Sequence, residues 1–336
     1  MIIMFSKFGY GRFILLLALL AITVCIQFLM HFPLAANIPF LFVVGAILVY
    51  LYIEIIVSNI FKQPINRKPS IEKESWKVLN VNCRGVEARA LLNRREGSGP
   101  LLLMVHGWKS SAESVRERAE WFCEQGWHAL IVEMPGHGKA RPVDKWTAFR
   151  VVEHTVELMD ALSSKLSQNE ITEIVFYGHS MGGFIGLNLS KRIDQYQWGT
   201  KMKGWILESP MTKYSSIFEE SLRESKIPKI LHIAVQQRLF VQFGALHPNE
   251  EPVQLLSQLD TPLWGLPKQP TLIIQAAEDN ILGRTHYDLL VTSMKGAGRE
   301  SILEAHLLDQ LPHTGAQVNS ARTKIIERWI NELLIQ

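Results

Sequence analysis

The chain has 336 residues, enough for one large domain with appendages and a substantial core. Lys and Arg total 35 against 32 Asp and Glu, a net charge of +3 without a long basic run, which excludes a nucleic-acid-binding surface. The three cysteines, Cys25, Cys83 and Cys123, are too widely spaced for a zinc pattern or a disulfide framework and point to a reducing compartment.

Residues 1–61 read as a membrane anchor. Phe13–Met30 and Ile38–Val57 are almost wholly apolar, each close to the roughly 20 residues a helix needs to cross a bilayer. A cleaved signal peptide is the competing reading of the first stretch, since Lys7 and Arg12 precede it and small residues follow in "PLAAN". Lys7 and Arg12 lie before the first span, and Lys62, Arg67, Lys68 and Lys73 follow the second. The connection "HFPLAAN" has no Lys or Arg, so both ends are expected in the cytoplasm. If the first stretch were cleaved, the second would still stop transfer and leave the C-terminal part cytoplasmic. Glu54 falls near the end of its span, where a carboxylate can reach the interface.

Residues 62–75, polar with two prolines, read as a linker to a domain at 76–336. "WKVLNVNC" and "VEARALLN" predict an antiparallel pair turning at Arg84-Gly85. "PLLLMVHG" is a continuous apolar run, as in a strand covered on both faces. Then follow a helix over 113–124, the strand "WHALIVE", a Gly-Pro loop, a helix over 147–166 and the strand "ITEIVFYG". Helical periodicity resumes in "MGGFIGLNLSKRI", before the strand "KGWILES". Later, "PTLIIQAA" and "ESILEAHLL" predict strands and 315–334 the last helix. Such alternation implies an α/β fold with a mostly parallel sheet and helices on both faces. Residues 211–268 break the rhythm with Tyr214, Ile217, Phe218, Phe240, Phe243 and Trp264, and predict a helical lid insertion with an apolar lining.

The pentapeptide Gly178-His179-Ser180-Met181-Gly182 fits G-x-S-x-G, a pattern that carries chemistry only at a sharp strand-to-helix turn. "ITEIVFYG" before it and "MGGFIGLNLSKRI" after it predict that turn, which makes Ser180 the candidate nucleophile. The amides of Trp108, in "VHGW", and Met181 form the candidate oxyanion-hole pair.

From about residue 76 onward the chain resembles the α/β-hydrolase superfamily. The motifs that carry the resemblance run in order as "VHGW", "EMPGHGKA", "GHSMGG", "LESPM", "PTLIIQAAEDNIL" and "LPHTGA". "GHSMGG" is similar to the branch of monoacylglycerol lipases, lysophospholipases and serine aminopeptidases. The resemblance implies the chain order nucleophile, acid, histidine. It assigns the acid to Asp279, with Glu278 adjacent as the alternative, and the base to His313 rather than His306, which falls within a strand. Glu133 stands where many relatives have Asp, and "GHGKA" replaces the more usual Gly-His-Gly-Ser; both are read as loop packing. The resemblance implies no cofactor and no metal.

The expectation is a membrane-anchored serine hydrolase of carboxylic esters, including lipid esters, through a Ser-His-Asp triad. A peptidase or amidase of the same fold, and a non-catalytic membrane-bound binding protein on that fold, are the alternatives. The expected partners are a small ester or lipid and the bilayer.

Overall fold

The structure is a computed structural model that describes residues 18–19, 21–26, 34–64, 68–165 and 170–335. Of the first expected span, residues 18–19 and 21–26 are helical, and the rest of Phe13–Met30 lies outside the described residues, as do 65–67 of the linker. Helix α1 runs Leu34–Ile60 and therefore takes in part of the connection expected before Ile38. Its segment Phe42–Ile60, of mean hydropathy 2.1, is the one helix among the described residues long and apolar enough to cross a membrane.

The chain forms two compact units. One combines residues up to Lys62 with Ser221–Gln254, and the other combines Gln63–Glu220 with Leu255–Gln336. The second unit is built on eight strands: β1 Lys77–Cys83, β2 Val86–Asn93, β3 Gly99–Val105, β4 His128–Glu133, β5 Ile171–His179, β6 Met202–Glu208, β7 Thr271–Ala276 and β8 Leu303–Leu308. Their spatial order is β1-β2-β4-β3-β5-β6-β7-β8. β2 pairs antiparallel with β1 and with β4, and every later pairing is parallel. β4 and β7 are buried along their whole length, as unbroken apolar runs in a parallel sheet must be.

The helices between strands are α2 Arg116–Glu124, α3 Ala148–Lys165, α4 Met181–Arg192, α5 Tyr214–Glu224, α6 His232–Leu246, α7 Arg284–Gly296 and α8 Ser320–Ile335. α7 was not among the elements expected from the sequence. α8 starts at Ser320 instead of the expected Gly315, because Gly315 has φ +87° and Asn319 caps the helix, its side-chain oxygen accepting from the Arg322 N–H at 2.9 Å. The final strand likewise starts at Leu303, after a 3₁₀ turn over Glu300–Ile302.

The expected lid interval divides between the units. Residues 211–220 and 255–268 belong to the unit with the sheet, and 221–254 to the unit with α1. Trp264 is buried against α4, its ring stacked 4.5 Å from Phe184 and its indole N–H donating to the Phe184 carbonyl at 2.8 Å. Phe218 is buried as well. Both residues belong to the unit with the sheet, and their burial leaves no open apolar lining at their positions.

Candidate active site

The C-terminal ends of parallel strands collect the loops of such sheets, and ligands bind at the point where strand order reverses. Here that point falls at β3, whose neighbours are β4 and β5. The loop after β3 carries Gly107 and Trp108, and the loop after β5 carries Ser180. Farther along the same edge, β7 is followed by Asp279 and β8 by His313.

Ser180 sits at φ +54°, ψ −114°, between the last residue of β5 and the first of α4. A side-chain-bearing residue rarely adopts that conformation, so its surroundings must hold it there. Two glycines make the turn possible. A Cβ at Gly182 would lie 2.0 Å from the Val105 carbonyl oxygen, and one at Gly178 would lie 2.6 Å from that of Gly182. The Ser180 N–H donates to the Glu208 carbonyl at 3.0 Å, and the Ser180 carbonyl accepts from the Met211 N–H at 3.1 Å.

His313 Nε2 stands 3.0 Å from Ser180 Oγ, and its Nδ1 stands 2.7 Å from Asp279 Oδ2. An ionised carboxylate can only accept, so Nδ1 carries the proton and Nε2 is left to accept from the serine hydroxyl. Burial pushes the Asp279 carboxyl up, but the hydrogen bond from His313 and the Leu282 and Ile281 amides outweigh it and hold it down at about 2. Both amides reach Oδ1 at 2.9 Å, and Gln275 Nε2 donates to Oδ2 at 2.7 Å. Glu278 is exposed, and His306 bonds Glu304 at 2.5 Å on β8, so neither joins this constellation.

The loop after β3 closes the other side. A Cβ on Gly107 would come within 3.3 Å of Ser180 Cβ, which puts this stretch of backbone against the serine. The Trp108 ring packs edge-on against Trp146 at 4.4 Å and His137 at 5.3 Å. His137 Nε2 accepts from the Lys109 N–H at 3.1 Å, and its Nδ1–H donates to the Pro135 carbonyl at 3.0 Å. Among the described residues no protein acceptor takes the Trp108 or the Met181 N–H. Glu133 bonds Arg89 at 2.9 Å and accepts from the Lys139 N–H at 3.2 Å, the packing of this loop expected from the sequence.

Sequence reasoning missed the supports. The His179 ring donates through Nε2 to the His313 carbonyl at 2.8 Å, and burial holds its pKa down at about 4, so it is neutral. Behind it, buried Glu208 Oε1 accepts from Arg118 at 3.0 Å and Arg322 at 3.2 Å, while Tyr177 donates to its other oxygen. Both arginines also donate at 2.8 Å to the Ala316 carbonyl, three residues after His313. Gln275 has no motif of its own. It lies inside β7, four residues before Asp279, and that spacing becomes a signal only with the Asp279 geometry in hand.

A family model described as serine aminopeptidase, S33, matches residues 99–258. Among solved structures, the Pyrococcus furiosus esterase Pf2001 superposes with a TM-score of 0.55 at 15% identity, covering 81% of this chain and 97% of that one. Est1E from Butyrivibrio proteoclasticus, solved with ferulic acid bound, gives 0.54 at 17% identity, covering 77% and 100%. At such identities the likeness establishes the fold. A Mycoplasma genitalium protein that carries an esterase/lipase name is 27% identical over 34% of this chain and 39% of its own length. The chain spans between 32% and 39% of the length of the curated relatives it matches.

Proposed function

We propose that this chain, a member of the α/β-hydrolase superfamily, is a membrane-anchored serine hydrolase that cleaves carboxylic esters through Ser180, His313 and Asp279. The observation that carries the reading is the unbroken relay from Ser180 Oγ to His313 at 3.0 Å and on to Asp279 at 2.7 Å.

Ser180 Oγ attacks the acyl carbon as His313 Nε2 takes its proton. Asp279, ionised, holds the imidazole tautomer and stabilises the imidazolium. The Trp108 and Met181 N–H groups bind the oxyanion, aided by the α4 N-terminus. His313 returns the proton to the leaving alcohol. A water then attacks the acyl-serine with His313 as base, and Ser180 regains its hydrogen. Reaction with a fluorophosphonate probe tests this. The wild-type chain should be labelled and Ser180→Ala should not, with turnover down on the order of 10⁴-fold or more. A Ser180→Ala variant that kept a tenth of the activity would remove Ser180 from the role. An unlabelled, inactive wild type would favour the binding-protein alternative.

The family model's aminopeptidase description supports a second reading, amide or peptide cleavage by the same residues. Matched ester and amide substrates of one acyl group separate the two. Lipid esters are the substrate class that the anchor suggests. A rise of kcat/KM with acyl length from acetate to octanoate supports it, and a steady fall excludes it.

For the anchor we take Phe42–Ile60 as a span and Phe13–Met30 as another, with residues 62–336 in the cytoplasm. A membrane-impermeant thiol reagent on intact cells should label a cysteine at Ala36 and spare one at Ser75.

A further inference from the structure

The unit that contains α1 also contains α6, and the two helices pack against each other. Both are almost free of charge. Glu54 is the only charged side chain in α1, and Arg238 is the only Lys, Arg, Asp or Glu between Ile230 and Asn249. These two meet. Arg238 Nη2 lies 3.1 Å from Glu54 Oε2, a second contact joins Arg238 Nε to Glu54 Oε1, and the side chains are 15% and 17% exposed. The pair is bidentate and largely withdrawn from water, the form in which an arginine best satisfies a carboxylate.

Among the described residues, the opposite face of α6 has no protein cover. Ile233 and Val241 are 69% and 63% exposed on one face of α6, with exposed Gln237 between them, and Ile230, in the 3₁₀ turn Lys229–Leu231 just before the helix, is 88% exposed, while Val235 and Leu239 on the other face are buried. α1 carries the same kind of surface, with Phe42, Val43, Leu48 and Val49 exposed. At 15 residues α6 is about 22 Å long, too short for a hydrocarbon core of about 30 Å. Lys226 and Lys229 precede it, and Glu250 and Glu251 follow. A helix with charge at both ends and a largely apolar exposed face is able to lie in the membrane interface with its middle toward the acyl chains. Glu54 is six residues from the end of α1, about 9 Å along the axis, a depth within one leaflet.

We propose that α6 is embedded in the bilayer beside α1, on its Ile233–Val241 face, and that Glu54 and Arg238 clamp it there by neutralising each other. The partner of this face is the acyl region of a lipid leaflet. The inference rests on α1 being a membrane anchor, and it adds that the insertion is held by that anchor. An unpaired charge at this depth is costly, so each partner makes the other tolerable.

The test uses the full chain in phosphatidylcholine vesicles with Cys25→Ser, which removes the one exposed thiol among the described residues. Burial pushes the Cys83 and Cys123 thiols up to about 11 and about 12, so they do not compete for label. An environment-sensitive fluorophore goes on Leu48→Cys, Ile233→Cys or Val241→Cys in turn, and spin-labelled lipid and aqueous iodide serve as quenchers. All three sites should be blue-shifted and quenched from the lipid. If Leu48→Cys is quenched from the lipid while Ile233→Cys and Val241→Cys are quenched by iodide, the anchor stands and this inference is overturned. If all three are quenched by iodide, the anchor falls and the inference with it. Arg238→Gln should cost the Ile233→Cys site its lipid quenching, and Glu54→Gln added to it should restore that quenching. Unchanged quenching in the single variant, or no recovery in the double, overturns the clamp.

Discussion

At the scale of single residues, the site depends on which carboxylate reaches the imidazole. Asp279 and Glu278 are neighbours, but only Asp279 turns inward, where four donors converge on its two oxygens. Asp279→Asn should therefore lower kcat by about 10⁴-fold, since an amide there favours the wrong imidazole tautomer. Glu278→Gln, at an exposed position, should leave kcat within about two-fold. Steady-state kinetics of the two variants on one ester decide it, and a larger loss for Glu278→Gln would move the acid. With its pKa near 2, Asp279 stays ionised through all mildly acidic pH, so any activity lost between pH 7 and 4 has another origin. Gly182 makes a different demand. Gly182→Ala drives a methyl into the Val105 carbonyl, a backbone atom that cannot swing aside. It should cost stability by about 1–3 kcal/mol, read as a lower melting temperature, whereas Ser180→Ala should melt like the wild type, since it relieves no packing and fills none.

At the scale of elements, the strands and the elbow were legible because each is a local signal. "PLLLMV", "HALIVE" and "TLIIQA" are short apolar runs, and G-x-S-x-G between strand and helix needs only adjacent residues. That Ser180, Asp279 and His313 would meet was an expectation from the motif order of the resemblance combined with strand order, and the structure brings their side chains together. The clamp on the histidine loop could not. Glu208 meets Arg118 across 90 residues and Arg322 across 114, and no periodicity or spacing encodes such a meeting. The trio belongs to β6, α2 and α8, and through the Ala316 carbonyl it fixes the stretch that follows His313. Burial alone would push the Glu208 carboxyl up, yet the two guanidiniums hold it down at about 2. Glu208→Gln should thus leave two buried guanidiniums without their counter-charge and cost about 3–5 kcal/mol. The readouts are a lower melting temperature together with a fall in kcat that exceeds any change in KM, because the loop that carries the base loosens while the rest of the substrate surface stays. A variant with wild-type melting and kcat would strip the cluster of this role. How the lid interval divides between the two units was not legible for a related reason. Aromatic richness marks burial without saying against what, and Trp264 turns out to pack on Phe184.

At the scale of the whole molecule, the two units differ in a way that an experiment can use. All nine tryptophans belong to the unit with the sheet, so their fluorescence reports its unfolding without a contribution from the anchor unit. That same unit buries several histidines in neutral form. Burial holds His106, His154, His179 and His286 down at about 4 and His137 at about 3. In the unfolded chain each returns to about 6.5. The sign follows from which state binds more protons. Between about pH 6.5 and 4 the unfolded state takes up protons that the folded state refuses, so stability is complete above 6.5 and is lost as the pH falls toward 4. Each such group can contribute a slope of up to about 1.4 kcal/mol per pH unit, and several acting together make the loss steep. The carboxylates act later. Glu208 and Asp279, both near 2, lose their contribution only as the pH falls from about 4 toward 2. Tryptophan-detected melting of the full chain in detergent should therefore drop sharply from about pH 7 to pH 5, before any of these carboxylates takes a proton in the folded state. His154 identifies the cause. It is buried in α3, takes no part in the relay, and is pushed down by burial and by Arg150. His154→Leu should flatten the dependence by about one proton while leaving ester turnover unchanged at neutral pH. An equally steep profile in that variant would mean that the histidines do not set the acid limit of this fold.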